Sequence, residues 1–459
     1  MTDWTLTILF CALVAGAGWP WTASLIGERL HPAVRISFGY LIGTALVTLG
    51  ELGLAFVHIP IVRPTLLLVI AAVTGGGVLM ARGRAMTQPR EQPGPLWPAL
   101  VLLAPVALAL GVALAQAFLL SNVDQVDFLR AWGKKGLSLF YAHNLNFRPL
   151  GGRHGYYPLE LSNMFGSLYL FLGHVNDTVI RLPMALYGPA LVPSMWWMCR
   201  RVLPPAGAAG AIALTVTAPQ FIIHSSVGQA DLATGVYVTI ASLAAFLWLL
   251  DGGSRYAGLA GCAAGAAAWT KLEGVFTCLV ILLGVLVVRR TLRVPGLWVW
   301  LAWFAAFTIP WKLFQRLHRI EFNDRHFRDL YLDIPSISRD VSEALTTFGR
   351  WGVFWPLCLA VIVLTVPFWW RTRFRWLAAV TLPNLVFTLV GFMTHYRAGV
   401  PGSVRVTASR LYLHLQPSIA VMAAAGATLA IMALLASSRG DLSSATAAGS
   451  HQRRTEPAP

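Results

Sequence analysis

The sequence predicts an all-α polytopic membrane protein with about thirteen transmembrane helices and two larger extracytoplasmic loops. Of its 459 residues, 56% are hydrophobic and 12% are charged, whereas a soluble domain carries about 25% charged residues. The mean hydropathy of +0.64 agrees with a chain built for lipid. Segments of about 20 mostly apolar residues recur along the chain. They are 4–25, 34–57, 64–80, 96–120, 178–199, 206–223, 230–250, 256–270, 274–288, 296–313, 351–370, 376–394 and 409–436.

Clusters of arginine set the predicted orientation. They follow the third, fifth, ninth and eleventh segments, which are alternate loops, and a further pair lies in the tail. The residues are Arg82, Arg84 and Arg90; Arg200 and Arg201; Arg289, Arg290 and Arg293; Arg371, Arg373 and Arg375; and Arg453 and Arg454. Because Lys and Arg collect in cytoplasmic loops, we expect the amino terminus outside and the carboxyl terminus inside. The net charge of +16 is then mainly an orientation signal and does not indicate a nucleic-acid partner.

This topology places the two largest connections, 121–177 and 314–350, on the extracytoplasmic side. Residues 162–173 are apolar but too few to cross, so we expect an amphipathic helix on the outer surface. The start of the chain has no basic n-region and is expected to be a retained anchor. Five scattered cysteines in apolar surroundings are expected to be small buried hydrophobes.

The second large loop has mixed charge. Its run from Glu321 to His326 matches no zinc or EF-hand spacing, so a mixed-charge amphipathic helix is the preferred interpretation. The sequence has neither a Walker loop nor a dinucleotide fingerprint, so nucleotide hydrolysis in the cytosol has no support.

The eighth and ninth segments are too short to reach the outer surface. Arms of about 15 residues extend only about 22 Å, so the tip at 270–274 is expected below that surface. Lys271 and Glu273 lie in this tip, and ionisable residues at such depth normally face a protein cavity. The simpler alternative is that Lys271 and Glu273 only pair with each other.

The first outer loop begins with two carboxylates, Asp124 and Asp127, at the membrane boundary. A carboxylate at the edge of a low-dielectric cavity can act as a general base. The alternative is that either residue caps a surface helix. Basic and aromatic residues follow and are candidates for substrate binding. They are Trp132, Lys135, His154, Tyr156 and Tyr157.

Further polar residues are predicted at the outer ends of later helices. They are Asp231, His395, Arg397, Arg405, Arg410 and His414. Three of them are arginines, whose planar guanidinium groups could hold a phosphate with two hydrogen bonds each. Interfacial snorkelling is the alternative for Arg397 and Arg405.

Five strings in this order resemble those of the GT-C superfamily of integral-membrane glycosyltransferases, in particular its bacterial protein-mannosyltransferase and aminoarabinose-transferase groups. The strings are Asp127, Trp132 and Lys135 at a shared spacing; His154-Gly-Tyr-Tyr-Pro158; Gly228-Gln-Ala-Asp231; Thr270-Lys271-Leu-Glu273-Gly274; and Ser409-Arg410 with His414. The resemblance spans roughly 97–420. It departs from the family at Leu272, where the family has Asn, and at the carboxylates, which are three residues apart.

The resemblance implies a GT-C-like transmembrane catalytic domain at 96–437. An N-terminal three-helix membrane segment (1–95) lies outside it, and a Ser-, Ala-, Gly- and Pro-rich composition predicts a disordered cytoplasmic tail at 438–459. The resemblance also implies an inverting glycosyltransferase in the plasma (inner) membrane, which moves a sugar from a polyprenyl-phosphate donor to an extracytoplasmic glycan, lipid or protein. Asp127 would be catalytic, with Asp124 as its substitute. The spacing of the two carboxylates leaves a divalent cation, Mg²⁺ or Mn²⁺, as an open possibility with unknown ligands.

The remaining roles follow the same resemblance. Lys271, Arg410 and Arg397 would bind the donor phosphate. The aromatic residues would bind substrate together with Asp231, Glu273, His395 and His414. Membrane lipids are further expected partners of the chain. The alternatives are a surface-polysaccharide ligase or polymerase with a diphosphate-linked donor, or a flippase or transporter. The chain shows no internal repeat of the kind that transporters usually have.

Overall fold

The computed structural model describes residues 2–84, 86–88, 91–119, 128–145, 155–320, 333–395 and 404–452; at 130, 393–395, 406 and 438–452 it describes the backbone alone. The regular elements in these ranges are helices, and the β pairing found there is one isolated bridge between Glu28 and Thr87. The predicted all-α class is therefore confirmed.

The first four helices are long and apolar, as predicted. They are α1 (Asp3–Ile26), α2 (Pro32–Phe56), α3 (Arg63–Ala81) and α4 (Trp97–Leu119). Helices α1 and α2 touch backbone to backbone. A Cβ built on Gly43 would lie 2.0 Å from the Val14 carbonyl oxygen, and one on Gly18 would lie 2.0 Å from that of Gly39. Glycine at such contacts lets membrane helices approach closely.

Shorter helices follow α4. A π-helical turn, Phe128–Trp132, leads into α5 (Gly133–Ala142), α6 (Glu160–Leu172), α7 (Arg181–Ala185), α8 (Tyr187–Cys199), α9 (Pro205–Val216) and α10 (Pro219–His224). The 206–223 segment is split because Pro219 has no N–H to continue α9.

Helix α6 corrects one prediction. All 13 of its residues are buried, so a surface helix at 162–173 is wrong. Protein covers both sides of α6: Gly166 packs against Gly136 of α5, and the Asn163 amide donates to the Thr48 carbonyl of α2 at 3.2 Å.

Four further helices follow α10, and the first two of them form the centre of the bundle. They are α11 (Ala230–Asp251), α12 (Ala257–Thr270), α13 (Leu272–Arg289) and α14 (Leu297–Leu317). The apolar window of α11 and every residue of α12 are buried. Helix α12 has 14 residues, about 21 Å, against 22 residues in α11. The first predicted short arm is therefore confirmed, whereas α13, with 18 residues, is longer than the second arm predicted for 274–288 and has the length of a membrane span.

The last part of the chain contains α15 (Ile334–Thr346), α16 (Phe348–Trp351), α17 (Phe354–Leu364), α18 (Val366–Trp369), α19 (Phe374–His395), α20 (Arg405–Leu411), a 3₁₀ turn (Tyr412–His414) and α21 (Gln416–Gln452). The 351–370 segment is divided near Pro367 into α17 and α18. Helical backbone of α21 is described to Gln452, and the disorder predicted for 438–459 stays a prediction.

Nine helices in the described ranges have the length and composition of a membrane span. They are α1, α2, α3, α4, α11, α13, α14, α19 and α21. The count of about thirteen is not reproduced, because four predicted segments are shorter or broken helices. The architecture is that of an integral membrane protein.

Candidate functional site

A buried ionic cluster lies where α11, the α12–α13 joint and α20 meet; we call its five residues, Asp231, Lys271, Glu273, Arg410 and His414, the Asp231 cluster. The Asp231 carboxylate has no exposed surface. Its Oδ1 is 2.8 Å from Lys271 Nζ, and its Oδ2 accepts from Arg410 Nε and Nη2 at 3.0 and 2.8 Å. His414 Nε2 lies 3.3 Å from Oδ1. One carboxylate thus joins three separate segments.

Local sequence explains each position. Asp231 lies in the first turn of α11, where an acidic side chain interacts favourably with the helix dipole. Lys271 has extended backbone between α12 and α13. A Cβ on Gly274 would lie 2.2 Å from the Ala267 carbonyl oxygen, so the tight joint requires glycine there. His414 follows Leu413, whose carbonyl oxygen would lie 3.0 Å from a Cβ on Gly235 of α11.

Glu273 extends the cluster. Its Oε1 is 3.2 Å from Lys271 Nζ, while its Oε2 has no hydrogen-bond partner among the described residues. Lys271 therefore pairs with two carboxylates, and the interpretation that it pairs only with Glu273 is wrong. Two acids balance the two permanent cations, and burial of this set depends on that balance.

The predicted aromatic residues form a second group beside α5, which we call the aromatic patch: Trp132, Lys135, Tyr156 and Tyr157. The Tyr156 and Tyr157 rings stack with centroids 4.8 Å apart, and Trp132 meets Tyr157 edge-on at 5.3 Å. Lys135 Nζ donates to the Tyr157 carbonyl at 3.0 Å, and burial lowers the pKa of Lys135 to about 7. Tyr157 is half-buried and the other three are buried.

Glu160 is a buried carboxyl that the sequence does not single out. Its Oε1 accepts from the Tyr237 and Tyr187 hydroxyls at 2.7 and 3.0 Å, and its Oε2 accepts from the Thr270 hydroxyl. Burial raises the pKa of Glu160 to about 7, against the opposing effect of these hydrogen bonds. The only sign of Glu160 in the sequence is its position at the start of an apolar helix. Acidic residues commonly occupy that position because they interact with the helix dipole, so the position alone does not indicate a functional role.

Several predicted site residues cannot be placed. Asp124, Asp127, His154 and Arg397 lie outside the described residues, and only the backbone of His395, at the end of α19, is described. Within the ranges that are described, no three His, Cys, Asp or Glu side chains come together as a set of metal ligands.

The chain has a GT-C-like fold, as its similarity to a solved structure shows, and the Asp231 cluster lies near one end of the bundle. A solved structure with this architecture is that of ArnT from Cupriavidus metallidurans bound to undecaprenyl phosphate. The two chains are 16% identical, with a TM-score of 0.53 over 72% of this chain and 60% of the ArnT chain. This chain thus spans about 60% of the length of that relative. No protein-family model and no curated protein sequence matches it.

Proposed function

We propose that this protein transfers a sugar from a polyprenyl-phosphate donor to a glycan, lipid or protein acceptor on the extracytoplasmic side of the plasma (inner) membrane. The observation that carries the proposal is the contact of Lys271 and Arg410 with one buried carboxylate, Asp231. A donor with an apolar tail and an anionic head needs such cations within reach of lipid. The ArnT structure contains a lipid of this chemistry and has the same fold.

In this proposal, Arg410 and Lys271 stabilise the donor phosphate as it leaves. The Arg410 side chain is 24% exposed and that of Lys271 is 5% exposed. The phosphate therefore approaches by way of Arg410, and Asp231 orients both cations. Arg397 is a third candidate for binding the phosphate.

The acceptor is activated by a carboxylate from the loop after α4. Asp127, with Asp124 as the alternative, takes the proton of the acceptor hydroxyl. The hydroxyl oxygen bonds to C1 of the sugar as the bond from C1 to the phosphate oxygen breaks, and its electron pair leaves with the polyprenyl phosphate. Attack opposite the leaving group inverts C1, and holding the reactants in line lowers the barrier.

The aromatic patch is the proposed wall of the sugar site. Its half-buried member, Tyr157, presents a ring to the sugar, while Trp132, Lys135 and Tyr156 hold that ring in place. Hydroxyl groups of the substrates are proposed to bind to four further side chains: His154, His395, Glu273 and His414.

The test is a transfer assay in membranes with a radiolabelled polyprenyl-phosphate sugar. Arg410→Ala and Lys271→Ala should each reduce transfer by about 100-fold or more, as expected for loss of a group that stabilises developing charge. The matched control is Arg405→Ala on the same helix, because Arg405 pairs at 3.4 Å with Glu343 and both side chains are about half exposed. Equal activity of the Arg405 and Arg410 variants would overturn the phosphate assignment.

The carboxylates need a separate comparison. Asp127→Asn and Asp124→Asn are assayed singly and together, and we expect the largest loss from Asp127→Asn. Undiminished transfer by the double variant would remove the carboxylate mechanism. Preferential use of a diphosphate-linked oligosaccharide would identify a ligase or polymerase instead.

A further inference from the structure

A second charged site lies at the end of the bundle opposite the Asp231 cluster. Helix α11 begins beside Asp231 and runs for 22 residues, about 33 Å, before the chain turns into α12. A cavity of about 430 Å³ opens near that turn, between the ends of α1 and α3 and the beginnings of α12 and α14. Its size is within the range of small-molecule sites. It shares no residue with the proposed sugar-transfer site.

The polar side of the cavity is cationic. Arg84 and Arg255 both line it, and its described lining residues include no Asp or Glu. Arg84 Nη1 donates to the Ser24 carbonyl, and no other hydrogen bond of its guanidinium to a described residue is found. A guanidinium has five N–H donors, so most of those of Arg84 remain available to a ligand.

The second arginine is held by its neighbours. Arg255 Nη2 is 2.6 Å from Glu28 Oε1 and also donates to the Thr87 hydroxyl. Glu28 is 2% exposed and pairs through its other oxygen with Arg201. The Glu28 carboxylate is therefore shared by Arg201 and Arg255. One negative charge cannot neutralise both guanidinium groups, so the pocket has a net positive charge.

The other side of the cavity is apolar. It is formed by side chains that include Leu25 and Trp303, while the rim residues Arg84, Thr87 and Ser254 are exposed. Tryptophan is enriched where membrane helices meet the headgroup region. An occupant must therefore combine an anion with hydrocarbon, as a phospholipid does and an aqueous anion does not.

We propose that this pocket binds the phosphate of an anionic phospholipid. Arg84 and Arg255 donate to the phosphate oxygens, whose geometry suits guanidinium groups. The acyl chains lie against Leu25 and Trp303. Basic pockets between membrane helices at the cytoplasmic side are typical sites for anionic headgroups, and this end carries the arginine-rich loops predicted to be cytoplasmic.

The test is native mass spectrometry of the purified full chain titrated with phosphatidylglycerol or phosphatidylcholine. We expect tighter binding of phosphatidylglycerol, and a loss of about tenfold in its affinity in Arg84→Ala. Arg82→Ala is the matched control, since Arg82 is exposed two residues away and does not line the cavity. Ser254→Glu should also weaken binding relative to Ser254→Gln, because it places a carboxylate on the rim.

Three results would overturn the proposal. The first is equal affinity for the two phospholipids. The second is an equal loss in the Arg82 and Arg84 variants together with no difference between the two Ser254 variants. The third is displacement of phosphatidylglycerol by inorganic phosphate at equal concentration, which would identify a site for a free anion.

Discussion

Thr270 and Lys271 are consecutive residues that bond to two different buried carboxylates. The Thr270 hydroxyl donates to Glu160, and Lys271 Nζ lies 2.8 Å from Asp231 Oδ1. Because both side chains extend from the joint between α12 and α13, a shift of this joint displaces donors in both networks. Glu160 belongs to α6 and also accepts from Tyr187 of α8. The joint therefore connects these two helices to Lys271 and Arg410, which are proposed to hold the donor phosphate.

Removing the Asp231 carboxylate should strongly destabilise the fold. Asp231→Ala leaves Lys271 and Arg410 without their shared acid, and breaking a buried ion pair costs about 3–5 kcal/mol. The measurement is thermal unfolding of the purified protein in detergent. Glu343→Ala is the control, since its pair with Arg405 is exposed and should contribute about 0–1 kcal/mol.

A double variant separates pairing from packing. Adding Lys271→Met to Asp231→Ala removes one of the two cations that lose the Asp231 carboxylate, so the double variant should be more stable than the sum of the single losses implies. Strict additivity of the two losses would contradict an energetic link between these residues.

Glu160 should make stability depend on pH. Its pKa is raised from the ordinary 4.5 to about 7, so between these values the unfolded chain releases a proton that the folded chain keeps. The free energy of unfolding is therefore highest below pH 4.5 and decreases as the pH rises toward about 7. Above that pH the total decrease is about 3 kcal/mol. Melting temperatures across the window should fall more steeply for the parent than for Glu160→Gln. Glu343→Gln should keep the parental slope, and parallel slopes for parent and Glu160→Gln would refute the assignment.

The contact between α1 and α2 should be intolerant of a methyl group. In Gly43→Ala the new Cβ would lie 2.0 Å from the Val14 carbonyl oxygen, so the helices must separate at a cost of about 1–3 kcal/mol. Gly53 on the same helix has no heavy atom within 4 Å of its Cβ position. Gly53→Ala should be neutral or stabilising by up to about 1 kcal/mol. Equal melting temperatures of the two variants would argue against close packing.

The cysteines should be protected by the fold. Cys11, Cys199, Cys262, Cys278 and Cys358 are all free and buried. We expect slow maleimide labelling of the native protein, fast labelling after denaturation, and no effect of a reductant on the melting temperature. Rapid labelling of any one of them in the native protein would show that its helix is not packed as described.

The sequence predicts that the residues of the Asp231 cluster lie toward one side of the membrane, because most of them lie at helix ends, while the roles assigned to them stay predictions. Once the topology is set, Asp231 and Arg410 must lie near the same end of the bundle, and the short arms place Lys271 nearby. The hydrogen bonds that join them depend on side-chain geometry, which no spacing contains. The carboxylates Asp124 and Asp127 remain predictions.

The sequence does not predict the environment of Glu160, the burial of α6 or the breaks in two of the apolar segments, and the physical reasons differ. The environment of Glu160 comes from hydroxyl groups 27 to 110 residues away, and its position at the start of α6 does not distinguish it from an ordinary helix-start glutamate. Hydropathy does not distinguish protein neighbours from lipid, so it places α6 at the surface although protein buries all 13 of its residues. Pro219 and Pro367 do mark the breaks in two segments, but an apolar average over about 20 residues hides them.

The long separations within the Asp231 cluster have a consequence for biogenesis. Lys271 follows Asp231 by 40 residues and Arg410 follows it by 179. During synthesis, α11 is therefore complete long before Arg410 is made and can pair with its carboxyl group. Assembly of this centre is completed only after residue 410 has left the ribosome, so a nascent chain truncated before α20 should be a substrate for membrane quality control.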